Sequence, residues 1–120
     1  MKMREIAYPD QRPIDGYGPG GFRLGGAWHA GSLVVSPRGT GPIAMPLDPA
    51  GLAPVLELAP DVDVVLVGQG AEIAPLPAKL RAMFDEAGIG VEIMSTPSAC
   101  RTYNVLLAEQ RRVAAILTAI

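Results

Sequence analysis

The clearest alternation of apolar and polar positions lies in the second half of the chain. Residues 62–68, VDVVLVG, form a short, nearly continuous β-branched run, as expected of a strand buried on both faces. Leu76, Leu80, Met83, Phe84 and Ala87 then follow the spacing of an amphipathic helix. Gly88 and Gly90 stop that helix, with Gly88 placed for a left-handed closing turn. VEIM predicts another short strand. Thr96 followed by Pro97 predicts a second helix start: the hydroxyl can accept an orphan N–H, and proline is tolerated at the first helical position. Ala99, Cys100, Tyr103, Leu106 and Leu107 make its buried stripe. The final RRVAAILTAI fits two patterns. Val113, Ile116, Leu117 and Ile120 keep a helical period, while the unbroken apolar run also suits a third buried strand. Two βα units in succession favour the strand, because a parallel sheet needs it to cover both helices.

The first half is punctuated instead of periodic. IDGYGPGGFRLGGAWHAGSLVVSPRGTGP alternates short apolar runs with turn residues. Phe22, Leu24 and Trp28 share a parity, and GSLVV follows as a second apolar run. This predicts a β-hairpin or meander in which Gly20, Gly21, Gly25 and Gly26 permit bulges or close packing. A short helix is expected around Leu52 to Leu58. The fold class is therefore α/β: one domain over residues 1–120, a Gly-rich N-terminal β region plus a β-α-β-α-β parallel unit. Residues 1–13 are expected to form a loosely ordered arm.

Composition narrows the function classes. A 49% hydrophobic and 18% charged chain of 120 residues has the material for one real core. Lys+Arg 10 against Asp+Glu 12 gives a net charge of −2, with no basic block to attract nucleic acid. Mean hydropathy is positive at +0.28, yet no run approaches the roughly 18 apolar residues of a spanning helix. MKMREIAYPD lacks the apolar region of a signal peptide, so the cytoplasm is the expected compartment. A single cysteine excludes an internal disulfide; with a single histidine, it also fails to supply the usual zinc sites. No cofactor is expected.

Candidate chemistry is sparse. Gly68-Gln69-Gly70 sits where a dinucleotide fold has its phosphate turn, but position 73 is Ile73 and the third glycine is missing. A tight turn at a strand end is the favoured account of these glycines, and a small anion or nucleotide fragment is the functional alternative. Cys100 lies near a helix start, where a thiol pKa can fall, yet it also lies on the buried stripe. His29 has no acidic or nucleophilic partner near it in sequence. Ser32 and Ser36 lack a nucleophile-elbow context. Asp61 and Asp63 read as a solvated strand edge. The best candidate is a crevice at the carboxyl ends of two successive strands, lined by Gly68, Gln69, Gly70 and Thr96, with Arg101 and Asn104 as weaker companions. Arg111 and Arg112 enter the last strand from its opposite end. The structural alternative makes Thr96 a cap, lets Asn104 and Glu109 tie the helix to neighbouring backbone, and leaves the arginines solvated.

At these residues the chain resembles a known family. Gly68 and Gly70 after a buried strand, the LP at Leu76, GIGVEIM, and T-x-x-A-x-x-x-Y-N-x-L from Thr96 to Leu106 resemble the small-domain family that includes mitochondrial respiratory complex I assembly factor 3. IDGYGPGGFRLGG and GSLVVSP resemble its opening β region, so the likeness spans residues 14–118 and is weakest across 37–50. The resemblance implies helices packed on a mixed or two-sheet β core and supports the last strand. One departure stands out: the family tends to place Glu-Gly-Arg before that strand, where this chain has Glu109, Gln110, Arg111 and Arg112. Gln110 must then adopt the left-handed conformation at a cost of about 1 kcal/mol, or form another turn. The expected function is a non-enzymatic interaction or assembly-type module with a protein partner or a second copy of itself. The alternative is a small-molecule protein or enzyme using the Gly68–Gly70 and Thr96 loops.

Overall fold

The computed structural model describes residues 11–120. Most of the expected N-terminal arm lies outside the described residues, but its last part is tied down. Gln11 Nε2 donates to the Val113 carbonyl at 2.8 Å, and the Tyr103 hydroxyl donates to the Arg12 carbonyl at 3.2 Å.

The glycine-rich region forms a three-stranded antiparallel meander, β1 (Ile14–Gly18), β2 (Gly21–Leu24) and β3 (Ala27–Ala30). Gly25 and Gly26 join β2 to β3 with φ values of 58° and 82°, the positive pair that a two-residue type I′ hairpin demands. Parity does not carry across that turn. Phe22 faces His29 in the register while Arg23 faces Trp28. Phe22 and Leu24 are therefore buried, but Trp28 is 45% exposed on the other face, which corrects the expectation that the three share one side. The indole lies over the glycines of that face: a Cβ on Gly21 would come 2.7 Å from it. Arg23 stacks its guanidinium 5.9 Å from the ring centroid.

The chain then enters a five-stranded sheet. Strands β4 (Leu33–Ser36) and β5 (Gly39–Pro42) form a hairpin, and α1 (Pro49–Leu56) follows. Asp48 caps α1, its carboxylate accepting from Gly51 N–H at 2.7 Å, with Pro49 at the first helical position. Next come β6 (Val64–Gly68), α2 (Ala78–Ala87), β7 (Gly90–Met94), α3 (Thr96–Ala108) and β8 (Val113–Leu117), the expected β-α-β-α-β unit. The sheet order is β5-β4-β8-β6-β7; β6, β7 and β8 are parallel, and β4 runs antiparallel to β8. Strand β8 inserts between β4 and β6 with α3 over one face and α1 and α2 over the other, so all five of its residues are buried. That explains why VAAIL shows no alternation.

Two cores result, one on each face of the large sheet. Leu33, Val35, Leu66, Val113, Ala115 and Leu117 pack with α3 and with Ile14, Phe22 and Leu24 of the small sheet. Val65, Val67, Ala114 and Ile116 pack with Leu52 and Val55 of α1 and Leu80 and Phe84 of α2. The two helices take opposite faces because β6→β7 and β7→β8 run in opposite directions across the sheet, and right-handed crossovers then place them apart. Both helices end in Schellman geometry. Gly88, at φ 73°, closes α2. Gln110 closes α3 at φ 62°, with Gln110 N–H on the Leu107 carbonyl and Arg111 N–H on that of Leu106. The glutamine thus takes the left-handed position itself instead of forming another turn.

Candidate functional site

The carboxyl ends of the three parallel strands meet at Thr96. Its N–H donates to the Gly70 carbonyl at 2.9 Å, and Gly70 N–H donates back to Thr96 Oγ1 at 2.8 Å. The same hydroxyl donates to the Thr118 carbonyl at 2.8 Å, just beyond β8. Thr118 N–H returns to the Gly68 carbonyl and Gln69 N–H to that of Met94, both at 2.9 Å. A fully buried threonine thereby stitches all three strand ends together. It is not the helix cap: Ser95 is, its Oγ accepting from Ser98 N–H at 3.3 Å. The capping hydroxyl therefore lies one residue earlier than the Thr96–Pro97 pair predicts.

Four of the six candidate residues, Gly68, Gln69, Gly70 and Thr96, are therefore brought together, and their polar atoms serve the loop itself. A Cβ on Gly68 would lie 3.0 Å from both Ala99 Cβ and Thr96 Cα, so glycine is needed for α3 to pack this closely. Gln69 Oε1 accepts from Ala74 N–H at 2.7 Å and shapes the descending loop. The other two candidates point elsewhere. Arg101 is exposed and donates to Ser98 Oγ at 3.3 Å. Asn104 holds β1, with Nδ2 donating to the Ile14 carbonyl and Oδ1 accepting from Ile14 N–H, both at 2.8 Å. Among the described residues no buried side-chain nitrogen or oxygen lacks a partner.

The remaining chemistry-bearing residues are dispersed. Burial pushes the Cys100 thiol up to about 11, opposed by the neighbouring Arg101 charge, so it is protonated at neutral pH. Asp61 pairs with Arg38 at 2.8 Å and Asp63 with Arg112 at 3.2 Å, both at the surface, where such pairs contribute little. No metal-ligand cluster occurs among the described residues.

Two openings that the sequence reading missed flank β5. On the α1 side, a groove of about 400 Å³ is lined by Val34, Ile43, Pro54, Val55 and Leu58, with Gly39 and Gly41 as its strand wall. On the small-sheet side, one of about 300 Å³ is lined by Arg12, Leu24, Gly25, His29, Gly39 and Thr40. The only sequence signal is Gly39-Thr40-Gly41, a strand with glycine at alternate positions.

This is an α/β domain with two sheets and three helices, single and compact over the described residues. The chain belongs to the family described as Protein of unknown function (DUF498/DUF598), which matches residues 14–118, the span of the resemblance read from the sequence. An uncharacterized protein of Rhodobacter capsulatus is 46% identical over 117 residues, covering 98% of this chain and 92% of that one. The NADH dehydrogenase [ubiquinone] 1 alpha subcomplex assembly factor 3 of Danio rerio is 40% identical over 60 residues, covering 50% of this chain and only 34% of the assembly factor. A crystal structure described as an outer membrane protein of Bartonella henselae superposes with a TM-score of 0.88 at 42% identity, covering 94% of this chain and 98% of that one. Among the described residues no helix is long and apolar enough to cross a membrane.

Proposed function

We propose that this protein is a non-enzymatic interaction module of assembly type, acting through a protein partner or a second copy of itself. The observation that carries this reading is the glycine-rich sheet, which presents Trp28 at 45% exposure on β3, an outer strand with no further partner among the described residues, and Tyr17 at 46% on the opposite edge strand, β1. Half-exposed aromatics are the residue types that anchor protein interfaces, and an unpaired strand is a template for another chain. The relatives named as assembly factors add weight, although they match only about half of this chain and it spans about a third of their length. Affinity capture with the tagged protein from its native lysate, paired with size-exclusion chromatography, tests the proposal. A stoichiometric partner or a dimer supports it; repeated recovery of the monomer alone removes it.

A second reading keeps the Gly68–Gly70 and Thr96 loops as a small-molecule site. It is favoured by their convergence at the carboxyl ends of three parallel strands, the usual ligand position in such sheets. A ligand at 100 times its dissociation constant adds about 2.7 kcal/mol of stability, so a thermal-shift screen of nucleotides and phosphorylated metabolites decides the matter. The cytoplasm is the proposed compartment, and fractionation of the native cells checks it.

A further inference from the structure

The outer edge of β5, which no other strand pairs among the described residues, carries a more specific interaction surface. Pro42 has no N–H, and Ile43 N–H donates to the Ser32 carbonyl at 3.1 Å, continuing the β4–β5 ladder. The residues of β5 that bond to β4 are therefore Gly39, Gly41 and then Ile43. By alternation, the N–H and carbonyl of Thr40 point away from β4, toward the outside of the sheet. Proline at position 42 occupies the next outward-facing position, where its missing donor costs nothing.

The side chains of this edge alternate as well. Gly39 and Gly41 lie opposite Ser36 and Val34, on the α1 face, while Thr40 lies opposite Val35, on the small-sheet face. A Cβ placed on Gly39 or Gly41 meets nothing within 4 Å, so the α1-side groove is open because the strand supplies no side chains to fill it. Opposite the strand the groove is walled by Val34, Ile43, Pro54, Val55 and Leu58, with Ser36 and Arg38 adding polar groups to its lining. The opening on the opposite face is lined by Arg12 and His29, and by no carboxylate among the described residues.

An outward main chain flanked by one opening on each face is the arrangement that receives an added strand: backbone hydrogen bonds bind it, and alternate side chains enter the two openings. We infer that β5 binds an extended segment of a partner protein, with an acidic residue opposite Thr40 facing Arg12 and His29, and an apolar neighbour opposite Gly41 filling the groove against Val55 and Leu58. This rests on the interaction-module reading and names its site and partner chemistry. The acidic choice follows from charge complementarity with the Arg12 side, and the apolar choice from Val55 and Leu58 on the wall facing Gly41.

The test is a phage-displayed library of random decapeptides panned on the wild-type protein, followed by fluorescence polarisation with the enriched peptides. The expected enrichment is an acidic residue directly next to a branched apolar one. Three variants then read the geometry. Thr40→Pro removes an outward donor, as Pro42 already does nearby, and should abolish binding while the fold survives. Gly41→Val fills the groove without a clash and should weaken binding at least tenfold. Arg12→Glu should weaken acidic peptides at least tenfold and admit lysine in their place. Failure to enrich any peptide, or peptides that bind Thr40→Pro as tightly as wild type, overturns the assignment. So does a wild-type dimer that Thr40→Pro converts to monomer, since the edge then belongs to a second copy. Lysate capture separates the two proposals: a partner retained equally by wild type and Thr40→Pro sinks the β5 site but leaves the interaction module standing.

Discussion

Asn104 holds Ile14 as a neighbouring strand would, its side-chain amide bonding both the N–H and the carbonyl of that one residue at 2.8 Å. Strand β1 is an edge of the small sheet, and α3 thereby supplies the pairing that a further strand would give. Replacing Asn104 with alanine removes two half-buried hydrogen bonds, each contributing about 0.5–1.5 kcal/mol. The expected loss is about 1–3 kcal/mol in urea unfolding, with faster hydrogen exchange at the Ile14 amide. Asn104→Asp keeps the acceptor but turns a second carboxylate oxygen toward the Ile14 carbonyl, and it should cost at least as much at neutral pH. Unchanged Ile14 exchange in both variants would show that the amide does not anchor the strand.

Thr96 makes a comparable but more deeply buried connection. Thr96→Val keeps the shape of the side chain and leaves Gly70 N–H and the Thr118 carbonyl without their partner. Orphaning buried polar groups costs about 1–3 kcal/mol each, so a total loss of about 2–6 kcal/mol is expected. Thr96→Ser retains the hydroxyl and loses one buried methyl, worth about 0.8 kcal/mol. Denaturant titration of the pair distinguishes a hydrogen-bonding role from a packing role. Equal losses in the two variants contradict the stitch described above.

What could be read before the structure follows from where each signal resides. The β6–β8 unit is written in local periodicity, and β8 is recognisable as a strand because a parallel sheet needs it to cover both helices. Parity misplaces Trp28 because it counts residues along a strand, and the Gly25–Gly26 turn restarts the count from the register. The polar set of α3 looked like a site because sequence shows residue types without their partners; Asn104 reaches across to Ile14, ninety positions away. The openings beside β5 left almost no trace, since Gly39 and Gly41 act by the side chains they lack.

Gln110 offers a gain in stability. It closes α3 in the left-handed region at φ 62°, where a side chain costs about 1 kcal/mol and glycine does not. Both closing hydrogen bonds use main-chain N–H groups, so glycine can form them unchanged. Gln110→Gly should therefore raise the unfolding free energy by about 1 kcal/mol at most, some of the relief being offset by the greater freedom of glycine in the unfolded chain. Gln110→Ala keeps the strain and should show no gain. A glycine variant no more stable than the alanine variant in parallel urea titrations would reject the left-handed closure as a source of strain.

Cys100 ties stability to alkaline pH. Its thiol is pushed from an ordinary 9.0 to about 11, first by burial and with Arg101 acting in the opposite direction. Below pH 9 the thiol is neutral in both folded and unfolded chains, and its burial carries no ionisation penalty. Above pH 9 the unfolded chain loses the proton first, so stability falls as pH rises, by roughly 1 kcal/mol per pH unit until about pH 11. Tyr103, pushed by burial from an ordinary 10.0 to about 12, adds its own decline only above pH 10. The interval between pH 9 and 10 therefore isolates the cysteine. In that interval the wild type should lose stability with pH more steeply than Cys100→Ala, whatever their offset at neutral pH. Parallel slopes for the two proteins would place the thiol outside the buried stripe of α3. A disulfide-exchange reagent at pH 8 gives a second readout: labelling of the folded wild type should keep pace with global unfolding, and rapid labelling under native conditions would contradict the burial.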